Sequence, residues 1–383
     1  MLAGLAYLAA ISVVGAETVT TTAKFARLED YDTGAVLFDK AGLEPMPPAS
    51  TSKLMVAEIV FRELKEGRLK LDDKEHVSEY AWRTGGAHAH GSAMFVAVKS
   101  DVRVEDLLRG LLVQSGNDAA IVLAEGIGGS EESFVALMNK RAAELGLTHS
   151  HFTNAWGRSD EGELVTAQDM AALARHLIRD YPEYYHYFSE KEFTWNKIRQ
   201  LNRNPLLTMD IGADGLKTGD TTESGFGLVG SAVQGDQRLI VIVNGAKSAA
   251  ERAEEARKLL NWGFRGFDVQ TFFSPGEVVG CANVFGGVAA TVDLTPVTPV
   301  KAFVPKAGGD KLMAKIVYQG PLAAPLAEGA SVGELRIYQG EIEMMRAPLK
   351  TRAAVAQANL VGRAADAAKE LARTLASRAW KRP

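Results

Sequence analysis

Cysteine is almost absent from this chain. The 383 residues include a single one, Cys281, so no disulfide can form within one copy of the protein. Because secreted proteins do not all carry disulfides, this absence leaves the cellular compartment open. A free cysteine is usually a small apolar side chain in a protein core, and we expect Cys281 to be buried.

An excess of positive charge is also missing. Lysine and arginine number 43 against 47 aspartates and glutamates, which gives a formal net charge of −4. Proteins that bind nucleic acid usually carry a dominant basic patch, so the charge balance disfavours that function. The chain is 46% hydrophobic and 23% charged, as expected for a globular protein, and its length allows two domains.

The apolar run at the N-terminus, MLAGLAYLAAISVVGA, is too short for a confident membrane span. It contains no charged side chain, and the small residues Val14 and Ala16 have the spacing of a cleavage site after Ala16. These features predict a secretory signal over residues 1–16 and therefore export. The alternative is a short buried helix.

Strand and helix patterns alternate along the first two thirds of the chain. Residues 20–45 predict two strands around a turn at 32–34, and residues 50–64 predict a buried helix that ends at Gly67. Helical patterns then fill residues 104–185. Strands return over residues 214–245, with a Gly-Asp turn at 235–236, and residues 249–264 predict an amphipathic helix. This order favours a mixed domain with an inserted helical lobe.

The character of the sequence changes after about residue 267. Residues 268–352 are rich in Val, Thr, Gly and Pro, and short alternating runs such as KLMAKIVYQ predict a small all-β domain. The final residues, 353–383, are rich in alanine, with an apolar stripe at helical spacing and more basic than acidic residues. Such a helix resembles an interfacial helix attracted to anionic lipid. The alternative is an ordinary surface helix or one docked on a partner.

The segment PPASTSKLM, residues 47–55, places a lysine where a buried helix is predicted to begin. The positive end of the helix macrodipole and burial both disfavour a charge there, so Lys53 is expected to act as a neutral base. Ser50 lies three residues earlier on the same helix face, where Lys53 can accept its proton and activate a nucleophile. The alternative is that Ser50 caps the helix while Lys53 extends to water.

Two further short motifs follow the Ser50–Lys53 pair along the chain, and the order of the three motifs is informative. VQSGNDAA places Ser115 and Asn117 at the start of a helix, and GLKTGDT places Lys217, Thr218 and Gly219 on a strand. Each pattern alone is weak, since the first fits a helix cap and the second fits an ordinary strand and turn. Ser-x-x-Lys, Ser-x-Asn and Lys-Thr-Gly in this order are the signature of serine enzymes that recognise penicillin.

With these motifs, and with segments such as KEFTWNKIRQLNRNPLL and ARKLLNWGF, the chain resembles the low-molecular-mass penicillin-binding proteins, D-alanyl-D-alanine carboxypeptidases of peptidase family S11. The resemblance covers essentially the whole chain. It implies an α+β fold of the serine β-lactamase/DD-peptidase type, with an antiparallel sheet flanked by helices and an all-helical lobe. The implied divisions are a signal peptide (1–16), a catalytic domain (17–266), a small β-sandwich-like domain (267–352) and an amphipathic helical tail (353–383).

The resemblance also implies a reaction. The enzyme would remove the terminal D-alanine from peptidoglycan stem pentapeptides through an acyl-enzyme on Ser50, without a metal or other cofactor, and β-lactam antibiotics would be covalent inhibitors. Lys53 would accept the Ser50 proton, and Ser115 would relay a proton to the departing D-alanine. Asn117 would hold the substrate amide and orient Lys53.

The remaining implied positions surround the substrate carboxylate. Lys217 and Thr218 would face it next to Gly219, and the backbone N–H of Asp220 would form an oxyanion hole with that of Ser50. Close relatives more often carry histidine at the position of Asp220. We expect its carboxylate to weaken substrate binding or to alter the pH dependence.

Three other candidates rest on less evidence. Arg252 and Arg199 match family positions near the cleft, and a guanidinium suits planar carboxylate recognition, although Arg252 also fits a solvated helix face. His88 and His90 form a pair without further residues at metal-ligand spacing, so a loop near the cleft is favoured over a metal site.

Two other functions stay open on the sequence alone. A β-lactamase needs fast deacylation, and Glu192 and Asn196 have a suitable mutual spacing, although their segment is typical of the carboxypeptidases. A non-catalytic cell-wall scaffold would have a decayed site, whereas the nucleophile, base and relay residues are all present. We therefore predict an exported, periplasmic carboxypeptidase, with the tail as a peripheral contact to the outer face of the inner membrane.

Overall fold

A computed structural model describes residues 19–89, 91–305, 312–340, 342–364 and 366–367. The chain divides into two compact units. Among the described residues, the larger unit contains residues 19–32 and Val36–Arg265, and the smaller unit contains Thr33–Ala35 and the residues from Gly266 onward. The predicted signal at 1–16 lies outside the described residues.

The larger unit is built on a five-stranded antiparallel sheet with the strand order β2-β1-β9-β8-β7. Two short hairpins, β3 with β4 and β5 with β6, lie outside that sheet. The strands of this unit are β1 (Phe25–Asp30), β2 (Val36–Lys40), β3 (Lys74–His76), β4 (Asp101–Arg103), β5 (Glu192–Trp195), β6 (Ile198–Leu201), β7 (Ala213–Thr221), β8 (Gly225–Gln234) and β9 (Gln237–Ala246).

Helices of the larger unit pack on this sheet and form a lobe between β2 and β7. They are α1 (Lys53–Lys65), α2 (Glu79–Gly85), α3 (Val104–Arg109), α4 (Asn117–Gly128), α5 (Glu131–Glu144), α6 (Ala167–Asp180) and α7 (Ala249–Gly266). The antiparallel sheet, the helical lobe and the smaller β unit together confirm the predicted fold class.

Local sequence signals explain several boundaries. Gly235 has a φ of +58° in the two-residue turn between β8 and β9, a conformation that glycine adopts without strain. Gly67, with a φ of +72°, follows the end of α1, as the sequence predicts. α1 itself is buried on most sides, from Leu54 to Phe61, so the helix that begins at Lys53 is a fixed part of the core.

The strands of the smaller unit lie between residues 267 and 351. A six-stranded sheet has the order β14-β16-β17-β12-β11-β15, and β10 pairs with β13. These strands are β10 (Phe267–Phe273), β11 (Gly280–Phe285), β12 (Thr291–Pro296), β13 (Val300–Pro305), β14 (Leu312–Val317), β15 (Leu322–Ala323), β16 (Ser331–Gln339) and β17 (Ile342–Thr351).

Cys281 corrects one expectation. It lies on β11 next to the buried Ala282, and because side chains alternate across a strand, its thiol points to the exposed face. The expectation of a buried thiol is therefore wrong, since it rested on residue type without the strand register.

The end of the chain is described only in part. Residues 360–364 and 366–367 are helical, and the rest of the predicted tail helix lies outside the described residues. In the part of the chain that the structure describes, no helix is both long and apolar enough to cross a membrane.

Candidate active site

Ser50 lies at the junction between a short turn and the buried helix α1. The turn is a 3-10 helix over Ala49–Ser52, and α1 begins directly after it at Lys53. No side chain caps α1, so Ser50 is not the helix cap that the alternative interpretation required. Ser50 is partly exposed whereas Lys53 is completely buried, which places a reachable hydroxyl above an inaccessible amine.

Three oxygen atoms surround the amine of Lys53 among the described residues. Its Nζ lies 2.9 Å from Ser50 Oγ, 2.8 Å from Asn117 Oδ1 and 2.6 Å from the backbone carbonyl of Trp156. The two carbonyl-type oxygens can only accept hydrogen bonds. In a neutral amine they take the two N–H groups, so the lone pair faces Ser50 Oγ, the one neighbour that has a proton to give.

Burial makes this neutral form accessible. It holds the pKa of Lys53 well below its usual range, and the nearby ammonium of Lys217 lowers it further, while Asp118 opposes the shift. Lys53 therefore has the geometry and the protonation behaviour of a general base for Ser50.

The segment before α4 supplies the second wall of the site. Ser115 is buried and has a left-handed backbone with a φ of +64°, at the end of a π-turn over Gly110–Gln114. This conformation is uncommon for residues other than glycine and is often found at functional sites. Asn117 follows as the first residue of α4, with its side-chain oxygen on Lys53, as expected from the sequence.

Asp118 fixes the position of this wall. Its buried carboxylate accepts backbone N–H groups from Met94, Phe95 and Val96, at 2.9 to 3.2 Å. Burial raises the pKa of Asp118, and these hydrogen bonds oppose the rise. The start of α4 is thereby tied to the loop that precedes β4, so Asn117 is presented to Lys53 from a rigid base.

Strand β7 forms the opposite wall, as the Lys-Thr-Gly pattern predicts. Lys217 and Thr218 are buried, and Gly219 packs directly against the nucleophile turn. A methyl group at Gly219 would lie 2.8 Å from the backbone nitrogen of Ser50 and 2.9 Å from that of Thr51. Only glycine allows this approach of two backbones, which brings the N–H groups of both segments close together.

Lys217 is the second buried lysine of the site. Its Nζ donates a hydrogen bond of 2.9 Å to the carbonyl oxygen of Thr218. Burial lowers the pKa of Lys217 to about 7, with contributions from the charges of Arg203 and Arg252, while Asp220 opposes the shift. An amine of this kind can exchange a proton near neutral pH.

Arg252 enters the site from α7 and is buried, so the solvated helix face does not describe it. Its guanidinium lies 5.8 Å from the ring centroid of Phe226 and 3.9 Å from the exposed carboxylate of Asp220. The Nε atom of Arg252 is buried without a hydrogen-bond partner among the described residues. The cation therefore stays close to Phe226 and Asp220 with unused hydrogen-bonding capacity.

Arg199 and Glu192 pair with each other across the exposed hairpin of β5 and β6. In the described part of the chain no hydrogen bond or ion pair joins Arg199 to Ser50 or to Lys53. A β-lactamase would need the Glu192 carboxylate as a free base, but this carboxylate is paired with Arg199. The pairing also lowers the pKa of Glu192. Neither residue is brought to the nucleophile by these contacts.

No metal centre is present among the described residues, since no group of three or more His, Cys, Asp or Glu side chains could hold an ion. The ring of His88 packs edge-on against Trp82, with 4.6 Å between centroids. His90 lies outside the described residues.

The carbonyl of Trp156 is the contact that sequence reasoning missed. It accepts from Lys53 and also lies 3.5 Å from Ser50 Oγ. Gly157, the next residue, packs against the same turn, because a methyl group there would lie 2.2 Å from the carbonyl oxygen of Ala49. The only sequence signal was this glycine, since every residue type offers the same backbone carbonyl.

Comparison with known proteins gives a consistent result. A sequence family described as D-alanyl-D-alanine carboxypeptidase matches residues 12–248, and one described as penicillin-binding protein 5, C-terminal domain, matches residues 267–357. The chain is 40% identical over 342 residues to D-alanyl-D-alanine carboxypeptidase DacC of Escherichia coli, which covers 88% of this chain and 86% of that protein.

Solved structures agree with these matches. Penicillin-binding protein 5 from Haemophilus influenzae superposes with a TM-score of 0.76 at 36% identity, covering 90% of this chain and all of that one. Penicillin-binding protein D2 from Listeria monocytogenes, in its ampicillin-bound form, superposes with a TM-score of 0.56 at 31% identity, covering 65% of this chain and 99% of that one.

Proposed function

Since the chain belongs to the D-alanyl-D-alanine carboxypeptidase family and is a serine-type enzyme of this class, we propose that Ser50 is its nucleophile and Lys53 its base. The observation that carries this proposal is the set of three oxygens around Lys53 Nζ, of which only Ser50 Oγ can give up a proton. The substrate is the peptidoglycan stem pentapeptide, and its terminal D-alanine is the group removed.

Acylation follows from the arrangement of Ser50 and Lys53. As Oγ attacks the carbonyl carbon between the two D-alanines, its proton passes to the lone pair of Lys53 and a tetrahedral oxyanion forms. We propose that the backbone N–H groups of Ser50 and Asp220 stabilise that oxyanion. The close packing of Gly219 against the Ser50 nitrogen supports this role, because it brings the two segments together.

The C–N bond then breaks, and the departing D-alanine nitrogen needs a proton. We assign its delivery to Ser115, and we propose that Lys217 assists as a buried amine that can exchange a proton near neutral pH. Lys53 still holds the proton that it accepted from Ser50, and this proton replaces the one that Ser115 gives to the departing D-alanine. No external acid is therefore consumed. Water then attacks the acyl-enzyme, and its proton returns to Ser50 through the same base.

The terminal carboxylate of the substrate is assigned to the cationic side of the site. Thr218 supplies a hydroxyl, while Lys217 and Arg252 supply positive charge, and the unused hydrogen-bonding capacity of Arg252 supports this assignment. Asp220 lies 3.9 Å from the guanidinium and would compete with the substrate carboxylate for it. Arg199 remains a proposed contact for substrate farther from the nucleophile.

β-Lactam antibiotics acylate the enzyme by the same route. The strained amide of the antibiotic takes the place of the D-alanyl-D-alanine bond, and Ser50 opens the ring without releasing a fragment. The ampicillin-bound state of the related Listeria monocytogenes protein supports this covalent chemistry.

The proposal is tested by D-alanine release from a stem pentapeptide. Ser50→Ala should reduce the rate at least about 10³-fold, since the nucleophile is lost. Ser52→Ala is the matched control, because that hydroxyl is buried in the same turn without a hydrogen-bond partner among the described residues. Full activity of Ser50→Ala, or equal losses in both variants, would refute the assignment.

We further propose that the enzyme is exported to the periplasm, that residues 17–266 form its catalytic domain and that residues 267–352 form a separate β domain. The signal-like sequence at 1–16 supports export. The two family matches, which leave residues 249–266 between them, support a boundary in this region. The basic, alanine-rich tail at 353–383 is proposed to bind the membrane surface peripherally.

A further inference from the structure

We propose that Asn154 is a positioning residue for catalysis, because it orients the peptide group whose carbonyl holds Lys53. This inference rests on the proposed role of Lys53 as the base. Asn154 is 2% exposed and lies in the loop between α5 and α6, 101 positions beyond Lys53 (154 − 53).

The side-chain oxygen of Asn154 collects three consecutive backbone donors. Its Oδ1 accepts the N–H groups of Trp156 at 3.2 Å, Gly157 at 2.7 Å and Arg158 at 3.0 Å. Its Nδ2 donates to the carbonyl of Arg158 at 2.9 Å and to Asp160 Oδ2 at 3.2 Å. One buried amide therefore determines the course of the chain from residue 156 to residue 160.

The shortest of these three hydrogen bonds, from the N–H of Gly157, fixes the direction of the Trp156 carbonyl. The N–H of Gly157 and the C=O of Trp156 belong to the same planar, trans peptide group, so they point in opposite directions. When Asn154 holds that N–H, the carbonyl is directed to the other side, where Lys53 Nζ lies 2.6 Å from it. The peptide group is held at both ends, by Asn154 and by the catalytic amine.

This orientation matters for proton transfer. If the Trp156 carbonyl turned away, a neutral Lys53 would have one fixed acceptor, Asn117, and its second N–H could rotate toward Ser50. The lone pair would then no longer be directed at the proton that it must accept. Small misplacements of catalytic groups reduce rates by about 100-fold even when the substrate site is intact.

The neighbouring Glu163 supports the same loop from the other side. Its Oε2 accepts the N–H of Thr153 at 2.5 Å and the hydroxyl of Thr153 at 2.7 Å. Thr153 directly precedes Asn154, so the residue that holds the peptide group is itself held in place.

The test uses the full chain and benzylpenicillin, with the non-covalent binding constant measured separately from the acylation rate constant. Asn154→Ala should lower the acylation rate constant about 10- to 100-fold and leave the binding constant unchanged. If Asn154→Ala does not fold, Asn154→Ser replaces it, since its hydroxyl is too short to reach all three donors.

Asn139→Ala is the matched control. Asn139 also joins its side-chain amide to this loop, through the N–H and the carbonyl of Phe152, but it does not contact residues 156–158. It should lose thermal stability without losing acylation rate. The inference is overturned if Asn154→Ala acylates like wild type or if Asn139→Ala is slowed equally.

Failure of this inference is distinguishable from failure of the proposed function. If wild type forms no adduct on Ser50, the assignment of the nucleophile is wrong and the role of Asn154 falls with it. If wild type acylates normally and only the Asn154 variants depart from expectation, the inference alone is wrong.

Discussion

Two completely buried lysines, Lys53 and Lys217, lie on opposite walls of the site, and each has a lowered pKa. Burial disfavours the charged form of both lysines. The charge of Lys217 lowers the pKa of Lys53 further, and the charges of Arg203 and Arg252 lower the pKa of Lys217. In the proposed mechanism Lys53, with its lowered pKa, takes the role that histidine has in other serine hydrolases. The anionic substrate carboxylate would partly restore the charge balance on binding.

Lys53→Arg should abolish acylation of Ser50. A guanidinium keeps hydrogen-bond donors but does not lose its proton, so it cannot accept one. We expect the acylation rate with benzylpenicillin to fall at least about 10³-fold, measured as the time course of adduct formation. Lys65→Arg, at the exposed end of the same helix, should acylate normally. Acylation of the Lys53 variant within 10-fold of wild type would mean that another group is the base.

At the scale of elements, the site is a contact between α1, the start of α4, strand β7 and the loop before α6. Gly219 and Gly157 are the points at which backbone packs against the nucleophile turn. The chemistry therefore depends on how closely whole segments approach one another.

Gly219→Ala tests this close approach. The added methyl group would meet the Ser50 and Thr51 nitrogens, so β7 must move away and acylation should fall about 100-fold. Gly230→Ala, on the neighbouring strand β8, is the control because its methyl group would meet the side chains of Leu228 and Leu206 instead. It should lower the melting temperature and leave acylation intact. Equal acylation by both variants would contradict the account.

Glu163 predicts a pH-dependent stability of the loop before α6. Burial raises the pKa of Glu163 to about 7, above its value in an unfolded chain. Between about pH 4.5 and pH 7 the unfolded chain loses the proton of this carboxyl while the native protein keeps it. The free energy of unfolding therefore falls as the pH rises through this range.

Glu163→Gln should remove this loss. Relative to wild type, the variant should gain up to about 3 kcal/mol in its free energy of unfolding between pH 5 and pH 8, measured by denaturant unfolding at both values. Glu132→Gln, at an exposed position of α5, serves as the control. A difference between Glu163→Gln and wild type that stays constant over this range would show that Glu163 does not titrate there.

The sequence allowed a prediction of those parts of the site that depend on side-chain identity at fixed spacing. Ser50, Lys53, Asn117 and Lys217 could be chosen because few residue types perform their chemistry, and the structure brings Lys53 and Asn117 into contact with each other. The Trp156 carbonyl could not be chosen, because a backbone group leaves no mark on residue identity. The face of the strand on which Cys281 lies could not be predicted either, because a shift of one residue in register reverses it.

At the scale of the whole molecule, the chain combines a catalytic α+β unit with an all-β unit that has its own core. The sequence change near residue 267 predicts a separate β domain from composition and strand periodicity. The tail after residue 352 is the proposed link to the membrane, and its basic residues outnumber its acidic ones.

Binding to vesicles tests the tail. The full chain should sediment with vesicles that contain anionic lipid and remain free with neutral vesicles, and added salt should weaken the binding. Replacing Arg373, Arg378 and Lys381 by glutamate should abolish sedimentation, since each basic residue near such a surface contributes about 1 kcal/mol. D-Alanine release from a soluble peptide should be unchanged. Equal sedimentation of both proteins would exclude this role for the tail.

The mass of the intact protein after exposure to benzylpenicillin tests the central claim most directly. Wild type and Ser52→Ala should each gain the mass of one complete antibiotic molecule, because ring opening releases no fragment, and Ser50→Ala should gain none. An adduct on Ser50→Ala, or an unmodified wild type in the presence of intact antibiotic, would contradict the assignment of Ser50 as the nucleophile.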